Sequence, residues 1–378
     1  MTAYSKRQKA ILLLEDGRKF EGYAIGYSGI TSGEICFTTG MTGYQEIFTD
    51  PSFAGQVVTM TNVHIGNYGV SNKENQSARV QIAGLIVRNF SDYYSRIQAD
   101  ASLQDYLVEN RIVAIAGIDT RALVRHIRSK GAMNCVISTI DTEEKELIQK
   151  LSDTPSMAGC ELASIVSTGE PYFYGDEHAA LKVAVIDYGC KRNILECFAQ
   201  RGCYLKVFPA RTELSTIDAW EPDGYFLSNG PGDPAAMDYA IKSARKILDS
   251  NKPVFGICLG HQLLALAQGM KTEKLKYGHR GTNHPVLNTS TGLGEITSQN
   301  HGFGVVKDSL IGMETEVEVS HYNLNDGSLE GLRWKNKRIF TVQYHPESSP
   351  GPFDSRYLFD EYIAMLKVQR GIPVQVNA

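Results

Sequence analysis

No stretch of this 378-residue chain approaches the roughly 20 consecutive apolar residues that a bilayer-spanning helix needs, so a membrane is not an expected partner. Long runs of one charge are absent as well. With 38 basic and 42 acidic residues the formal net charge is −4, and the concentrated basic surface that nucleic-acid phosphates demand is missing. Nucleic acid is therefore not an expected partner either. The seven cysteines (Cys36, Cys135, Cys160, Cys190, Cys197, Cys203 and Cys258) are odd in number and contain no C-x-x-C pair, and the nine histidines do not cluster as zinc ligands. That pattern argues against a structural metal and for a reducing, cytoplasmic setting. The start, Met1 to Arg7 running into Ile11–Leu14, is too short and too soon charged for a secretory leader. There is no G-x-x-x-x-G-K-[ST] loop, so ATP is not expected in this chain. Internal repeats and low-complexity tracts are also lacking.

What is present is an ordinary globular composition, 42% apolar and 21% charged, at a length sufficient for about two domains. The aperiodic, Gly- and Pro-bearing stretch from Ser167 to His178 reads as a linker. The expected division is an N-terminal α+β domain over 1–166, a linker over 167–180 and an α/β domain over 181–370. In the first, short β-type runs (Ala10–Leu14, Glu34–Thr38, Gln56–Met60 and Val80–Val87) accompany two helices. One is Asp119–Lys130, capped by Asp119 and stopped by Gly131; the other is Thr142–Leu151, with Asp141 as its cap. In the second, strand and helix alternate: Lys182–Asp187, a helix over Asn193–Arg201, Leu205–Pro209, Gly224–Leu227, a helix after Pro234, then Val254–Gly256. Such alternation implies a mostly parallel central sheet wrapped by helices. Past Gly269 the pattern becomes hairpin-like, with strands expected at Glu295–Gln299, Gly304–Lys307, Glu316–Ser320 and Arg338–Gln343.

Among the cysteines, Cys258 stands apart by its setting. Gly256-Ile-Cys-Leu-Gly-His-Gln262 has the form Gly-x-Cys-x-Gly between an apolar run and a helix-like run. A sharp strand-to-helix turn exposes a nucleophile, and the helix N-terminus behind it favours an anion. A thiol there needs a base. His345 at the end of a strand is the leading candidate, with Glu347, two residues on, placed to accept from one ring nitrogen if the segment is extended. His261 is the competing base, but it lies one helical turn beyond the thiol. The turn Ser228-Asn-Gly230-Pro-Gly232-Asp-Pro234 follows a strand and lacks the third glycine of a dinucleotide loop. Its Gly230 amide, with that of Leu259, could form an oxyanion hole, although a plain strand–helix turn would look the same. Gln299-Asn-His-Gly-Phe303 reads as a polar turn between two strands.

Taken together, Asn229-Gly-Pro-Gly-Asp-Pro234, Gly256-Ile-Cys-Leu-Gly-His-Gln262 and His345-Pro-Glu347 resemble the class I (triad) glutamine amidotransferases, in order and spacing, from about Leu181 onward. Thr42-Gly-Tyr-Gln-Glu46, Thr49-Asp-Pro-Ser52, His64-Ile-Gly-Asn-Tyr-Gly69, Ala116-Gly-Ile-Asp-Thr-Arg121 and Asp187-Tyr-Gly-Cys-Lys-Arg-Asn193 resemble the small subunit of carbamoyl phosphate synthetase. The resemblance covers nearly the whole chain. It implies that Cys258 is the nucleophile of a glutaminase, that His345 is its acid and base, and that Glu347 orients the ring. It further implies that L-glutamine is held by Ser52, Gly230, Gly232, Leu259, Gln262, Asn300, Gly302 and Phe303. It also implies that ammonia, expelled as the thioester forms, passes to a large-subunit partner, where ATP and Mg are expected; no cofactor or metal is expected in this chain. A purine or chorismate synthase partner, a silent docking subunit and a general cysteine hydrolase are the alternatives. The first-domain signature argues against the first and third of these, and the intact Cys258, His345 and Glu347 against the second.

Overall fold

The computed structural model describes residues 7–374; Met1–Lys6, on which the argument against a secretory leader draws, lie outside the described residues. The chain packs as two compact units, Met1–Cys160 with Lys276–Gly281, and Glu161–Leu275 with Thr282–Ala378.

In the first unit seven strands close into a barrel, in the order Lys9–Leu14, Lys19–Gly26, Val113–Ala116, Gly84–Ile86, Gln56–Met60, Ile30–Thr38 and Asn134–Ser138. The pairings of Ile30–Thr38 with Gln56–Met60, of Gln56–Met60 with Gly84–Ile86 and of Gly84–Ile86 with Val113–Ala116 are parallel. The remainder are antiparallel. Every residue of Gln56–Met60 is buried, and the successive residues Val57 and Val58 enter different cores. A strand covered on both faces reads as a continuous apolar run. The helix expected from Asp119 forms over Thr120–Lys130, with the Asp119 carboxylate accepting from the Ala122 amide and Gly131 at positive φ closing it. Two expectations need correction. The second helix begins at Glu144, not Thr142, because the Thr142 hydroxyl is taken up in bonds to Ile140 O and Ser138 Oγ. Only Gly84–Ile86 of the run Val80–Val87 is strand; the Gln81 amide donates instead to Phe48 O at 2.7 Å.

The second unit is an α/β layer structure on a ten-stranded sheet. Its parallel centre runs Cys203–Pro209, Leu181–Asp187, Gly224–Leu227, Val254–Ile257, Ile339–Val342. Leu329–Trp334 and Val317–Asn323 continue it antiparallel, and Thr272–Asn288 and Gly294–Val305 lie beyond them. Successive side chains of one strand serve two cores. Ala184 and Ile186 pack with Ala240, Ala244, Leu263 and Leu264 from helices Asp238–Leu248 and Leu259–Gln268. Val183 and Val185 pack with Ile194, Phe198, Phe359 and Tyr362 from helices Arg192–Ala199 and Tyr357–Arg370. The period-2 alternation thus decides which helix pair each residue meets.

Here too the structure departs from the expected elements. Within the stretch read as linker, Tyr172–Tyr174 forms an antiparallel edge strand on Cys203–Pro209, and the Thr168 amide donates to Asp187 Oδ2 at 2.7 Å. Its aromatic residues find a sheet edge, which is why the segment packs rather than merely connects. After Pro234 a single 3-10 turn over Pro234–Ala236 precedes the α-helix, which starts at Asp238. Gln299–Phe303 is no turn: one continuous strand, Gly294–Val305, runs through it. Its alternate polar residues face the same way, and His301 bonds both Gln299 Oε1 (2.9 Å) and Phe303 O (2.7 Å).

Candidate active site

The catalytic candidates gather at the carboxyl ends of neighbouring parallel strands, where open α/β sheets place their ligands. Leu227 is followed by Ser228–Gly230, Ile257 by Cys258, and Val342 two residues on by Tyr344–His345. Cys258 sits at φ 54°, ψ −101°, between its strand and the helix Leu259–Gln268. Positive φ costs a residue with a Cβ about 1–3 kcal/mol, and packing holds it there. The Cys258 amide donates to Val342 O at 2.8 Å and the Gly260 amide to Ser228 O at 3.0 Å. The flanking glycines are steric requirements. A Cβ on Gly260 would lie 2.2 Å from Leu227 O, and one on Gly256 would lie 2.9 Å from Leu264 Cδ1 and 3.0 Å from the Gly260 backbone. Helix and strand approach too closely for any larger residue.

His345 is 2% exposed and Glu347 is fully buried. The ring's Nδ1 donates to Glu347 Oε1 at 2.7 Å, which leaves Nε2 as the reactive nitrogen. That Nε2 has no hydrogen-bond partner in the protein. The two residues are not on an extended segment, as the i, i+2 argument assumed. The strand ends at Val342, and a turn with the Ser348 amide donating to His345 O (3.0 Å) brings them together. Burial alone would push the imidazole down, but the charge of Glu347 and its hydrogen bond to the ring, with the Cys258 sulfur nearby, hold it well above the ordinary histidine value. Burial would raise Glu347; Lys191 and His345 instead keep it well below the usual carboxylate range.

Lys191 carries no role in the sequence reading, and the structure gives it one. It is 4% exposed, and its ammonium donates to Glu347 Oε1 (2.8 Å) and Ser348 O (2.6 Å). Asn193 Nδ2 adds a bond to Glu347 O at 2.5 Å. The available signal was position: Lys191 follows the strand Leu181–Asp187, whose carboxyl end borders the same crevice. His261, the competing base, is fully buried with Nδ1 against Thr341 Oγ1 at 2.8 Å. Burial pushes it down to about 3, so it stays neutral and cannot serve as a cationic acid near neutral pH.

The other expected contacts fall as follows. A Cβ on Gly230 would sit 2.1 Å from Tyr188 O and 2.8 Å from Leu259 Cδ2, so this turn lies directly against the first residue of the nucleophile helix. Being first in that helix, the Leu259 amide has no intrahelical acceptor. Asn300 O accepts from the Cys258 thiol at 3.6 Å, and Gln262 Nε2 donates to Phe303 O (2.8 Å) and Gln343 Oε1 (3.0 Å). Gly302 lies between Asn300 and Phe303 on the same strand. Gly232, at φ 95°, precedes the 3-10 turn. Ser52 belongs to the other unit, in the turn Pro51–Phe53, where its amide donates to Asp50 Oδ1 at 2.9 Å.

A strained thiol at a helix N-terminus, facing an imidazole held by a buried carboxylate, is the apparatus of acyl transfer through a thioester. Residues 184–365 match the model of the class-I glutamine amidotransferases. Residues 12–137 match that of the carbamoyl-phosphate synthase small chain, CPSase domain. Carbamoyl phosphate synthase small chains are similar over nearly the whole length. That of a Synechococcus species is 48% identical, covering 98% of this chain and 96% of its own. That of Chlorobaculum tepidum is 48% identical, covering 95% and 98%, and that of Vibrio cholerae 45%, covering 95% and 98%. The chain belongs to the carbamoyl phosphate synthase small chain family.

Proposed function

We infer that this chain is the glutaminase subunit of a carbamoyl phosphate synthase. The observation that carries the reading is the Cys258–His345–Glu347–Lys191 array at the strand ends of a chain of that family. Cys258 Sγ attacks the side-chain amide carbon of L-glutamine while His345 Nε2 takes the thiol proton. The same nitrogen returns it to the departing amine, which leaves as ammonia. His345 then draws a proton from water, water adds to the thioester, and glutamate is released with the thiol restored. Backbone amides of Gly230 and Leu259 receive the oxyanion, worth about 3–4 kcal/mol where such a donor has been removed elsewhere. Gly232, Gln262, Asn300, Gly302 and Phe303 complete the part of the glutamine site that the second unit supplies.

The ammonia passes to a large-subunit partner, where ATP and Mg activate bicarbonate and complete carbamoyl phosphate; this chain itself works without cofactor or metal. Protonated ammonia is no nucleophile, so delivery without release to water suits the chemistry. Among the described residues no helix is long and apolar enough to cross a membrane, and with the unpaired cysteines this supports a cytoplasmic enzyme.

Substitution tests the assignment. Cys258→Ser is expected to lower glutamine-dependent carbamoyl phosphate synthesis by at least about 10³-fold and leave ammonia-dependent synthesis by the assembled enzyme intact. If glutamine still supported synthesis at the wild-type rate, the nucleophile would be another group. If the chain failed to co-purify with a large partner and hydrolysed glutamine fully alone, the subunit role would fall.

A further inference from the structure

Two buried glutamines meet beside the thiol. Gln262 lies in the first turn of helix Leu259–Gln268, and Gln343 directly follows the strand Ile339–Val342, two residues before His345. Both are buried, Gln343 completely. Gln262 Nε2 donates to Phe303 O at 2.8 Å and to Gln343 Oε1 at 3.0 Å. The sense of the second bond follows from the first. A backbone carbonyl only accepts, so the nitrogen of the Gln262 amide must be the atom that faces Phe303. Gln343 must then turn its oxygen, not its nitrogen, toward Gln262. With both protons engaged, what the Gln262 amide can still offer is Oε1, which only accepts. An ammonium or N–H group on a substrate suits it; a carboxylate does not.

Gln343 is poorly explained by stability. Its Nε2 is buried without a hydrogen-bond partner, and a donor left in that state costs about 1–3 kcal/mol. Leucine or methionine would fill a similar volume without that cost. The backbone amide of Gln343 donates to Glu330 O at 2.8 Å, a bond open to any residue but proline. The side chain's one satisfied atom is the oxygen that receives Gln262.

We propose that Gln343 is a positioning residue of the glutamine site, acting through Gln262. Held by Phe303 O alone, the Gln262 amide could swing about a single bond; the second bond, to Gln343, fixes its plane and keeps Oε1 turned to the substrate. This role rests on the glutaminase reading above, in which Gln262 is a glutamine contact.

Steady-state glutamine hydrolysis by the full chain tests it, with Gln343→Leu, Gln262→Ala and the double variant. Gln343→Leu is expected to raise KM for L-glutamine about tenfold, the scale of one hydrogen bond to a charged group. Its kcat should change by less than about twofold, because thiol and imidazole keep their own contacts. Gln343→Met, as long and as flexible as glutamine but without the acceptor, should behave alike and serves where leucine does not pack. In the Gln262→Ala background the Gln343 substitution should add nothing further to KM, since the residue it acts through is gone. Additive effects in the double variant would overturn the proposal, as would a fall in kcat as large as the rise in KM, the mark of a displaced thiol or imidazole. Hydrolysis at the wild-type KM in both Gln343 variants would remove this role and leave the glutaminase assignment standing. A wild-type chain that hydrolysed no glutamine would remove both.

Discussion

At Glu347 one carboxylate oxygen serves two cationic groups, the ring of His345 at 2.7 Å and the ammonium of Lys191 at 2.8 Å. Both are buried, so removing one leaves the others uncompensated, and breaking such a pair costs about 3–5 kcal/mol. Lys191→Met is therefore expected to destabilise the chain by that order at neutral pH, read by urea unfolding. The pH dependence has a definite sign. Glu347 is held below its ordinary value of 4.5, so its contribution is present above that pH and fades as pH falls through the depressed pKa. Without Lys191 the depression shrinks, and the gap between variant and wild type should narrow on acidification. A gap constant from neutral pH to pH 3 would disprove the coupling. His345 runs the other way. Its raised pKa contributes stability below its ordinary value of 6.5 that is lost as pH rises through the raised one. Glu347→Gln should bring the imidazole titration down, a shift visible in its proton NMR resonances. It should also lower kcat for glutamine by about 10²-fold or more, because the ring loses the acceptor that fixes its tautomer. An imidazole that titrated as in wild type would show that Glu347 does not set its charge.

The elbow is an element-scale device, because strand, turn and helix fix the thiol jointly. Gly260→Ala is the direct test. Its Cβ would meet Leu227 O at 2.2 Å, backbone that cannot step aside, so helix Leu259–Gln268 must move off the sheet. Loss of about 2 kcal/mol or more is expected from thermal unfolding, with glutaminase activity falling further than stability because the displaced element carries Cys258. Equal activity at wild-type stability would contradict the packing. The same scale explains what could be read beforehand. Caps, glycine stops and apolar runs announced the helix Thr120–Lys130, the strand Gln56–Met60 and the strand–Cys258–helix unit, since each is specified by neighbours within a few residues. Gln299–Phe303 misled because polar residues with a glycine look like a turn, whereas their hydrogen bonds lie along a buried strand. Lys191 escaped for a related reason. A lysine announces a solvated surface unless its acceptor, here 156 residues away in the chain, is known.

At the scale of the whole molecule, two units with separate cores share one chain unevenly. Lys276–Gly281 departs from the second unit's sequence to join the first. The Ala132 amide donates to Lys276 O at 2.7 Å and the Thr39 amide to Arg280 O at 3.1 Å, while the Tyr277 ring packs on Phe37 with centroids 5.9 Å apart. A linear reading with one boundary near residue 166 could not foresee this, because the segment is ordinary strand in composition and its partners lie more than a hundred residues upstream. It has a measurable consequence. Tyr277→Ala should remove part of the apolar cover of the barrel's core, costing about 1–3 kcal/mol for a half-buried aromatic ring. That cost should be borne by the first unit even though the residue lies beyond Cys258 in sequence. In native-state hydrogen exchange, amides of Ile30–Thr38 and Asn134–Ser138 should lose protection by roughly 10–100-fold, while those of Leu181–Asp187 and Val254–Ile257 keep theirs. The opposite pattern, with the parallel sheet of the second unit loosened and the barrel untouched, would mean that the segment belongs to the unit its sequence position suggests.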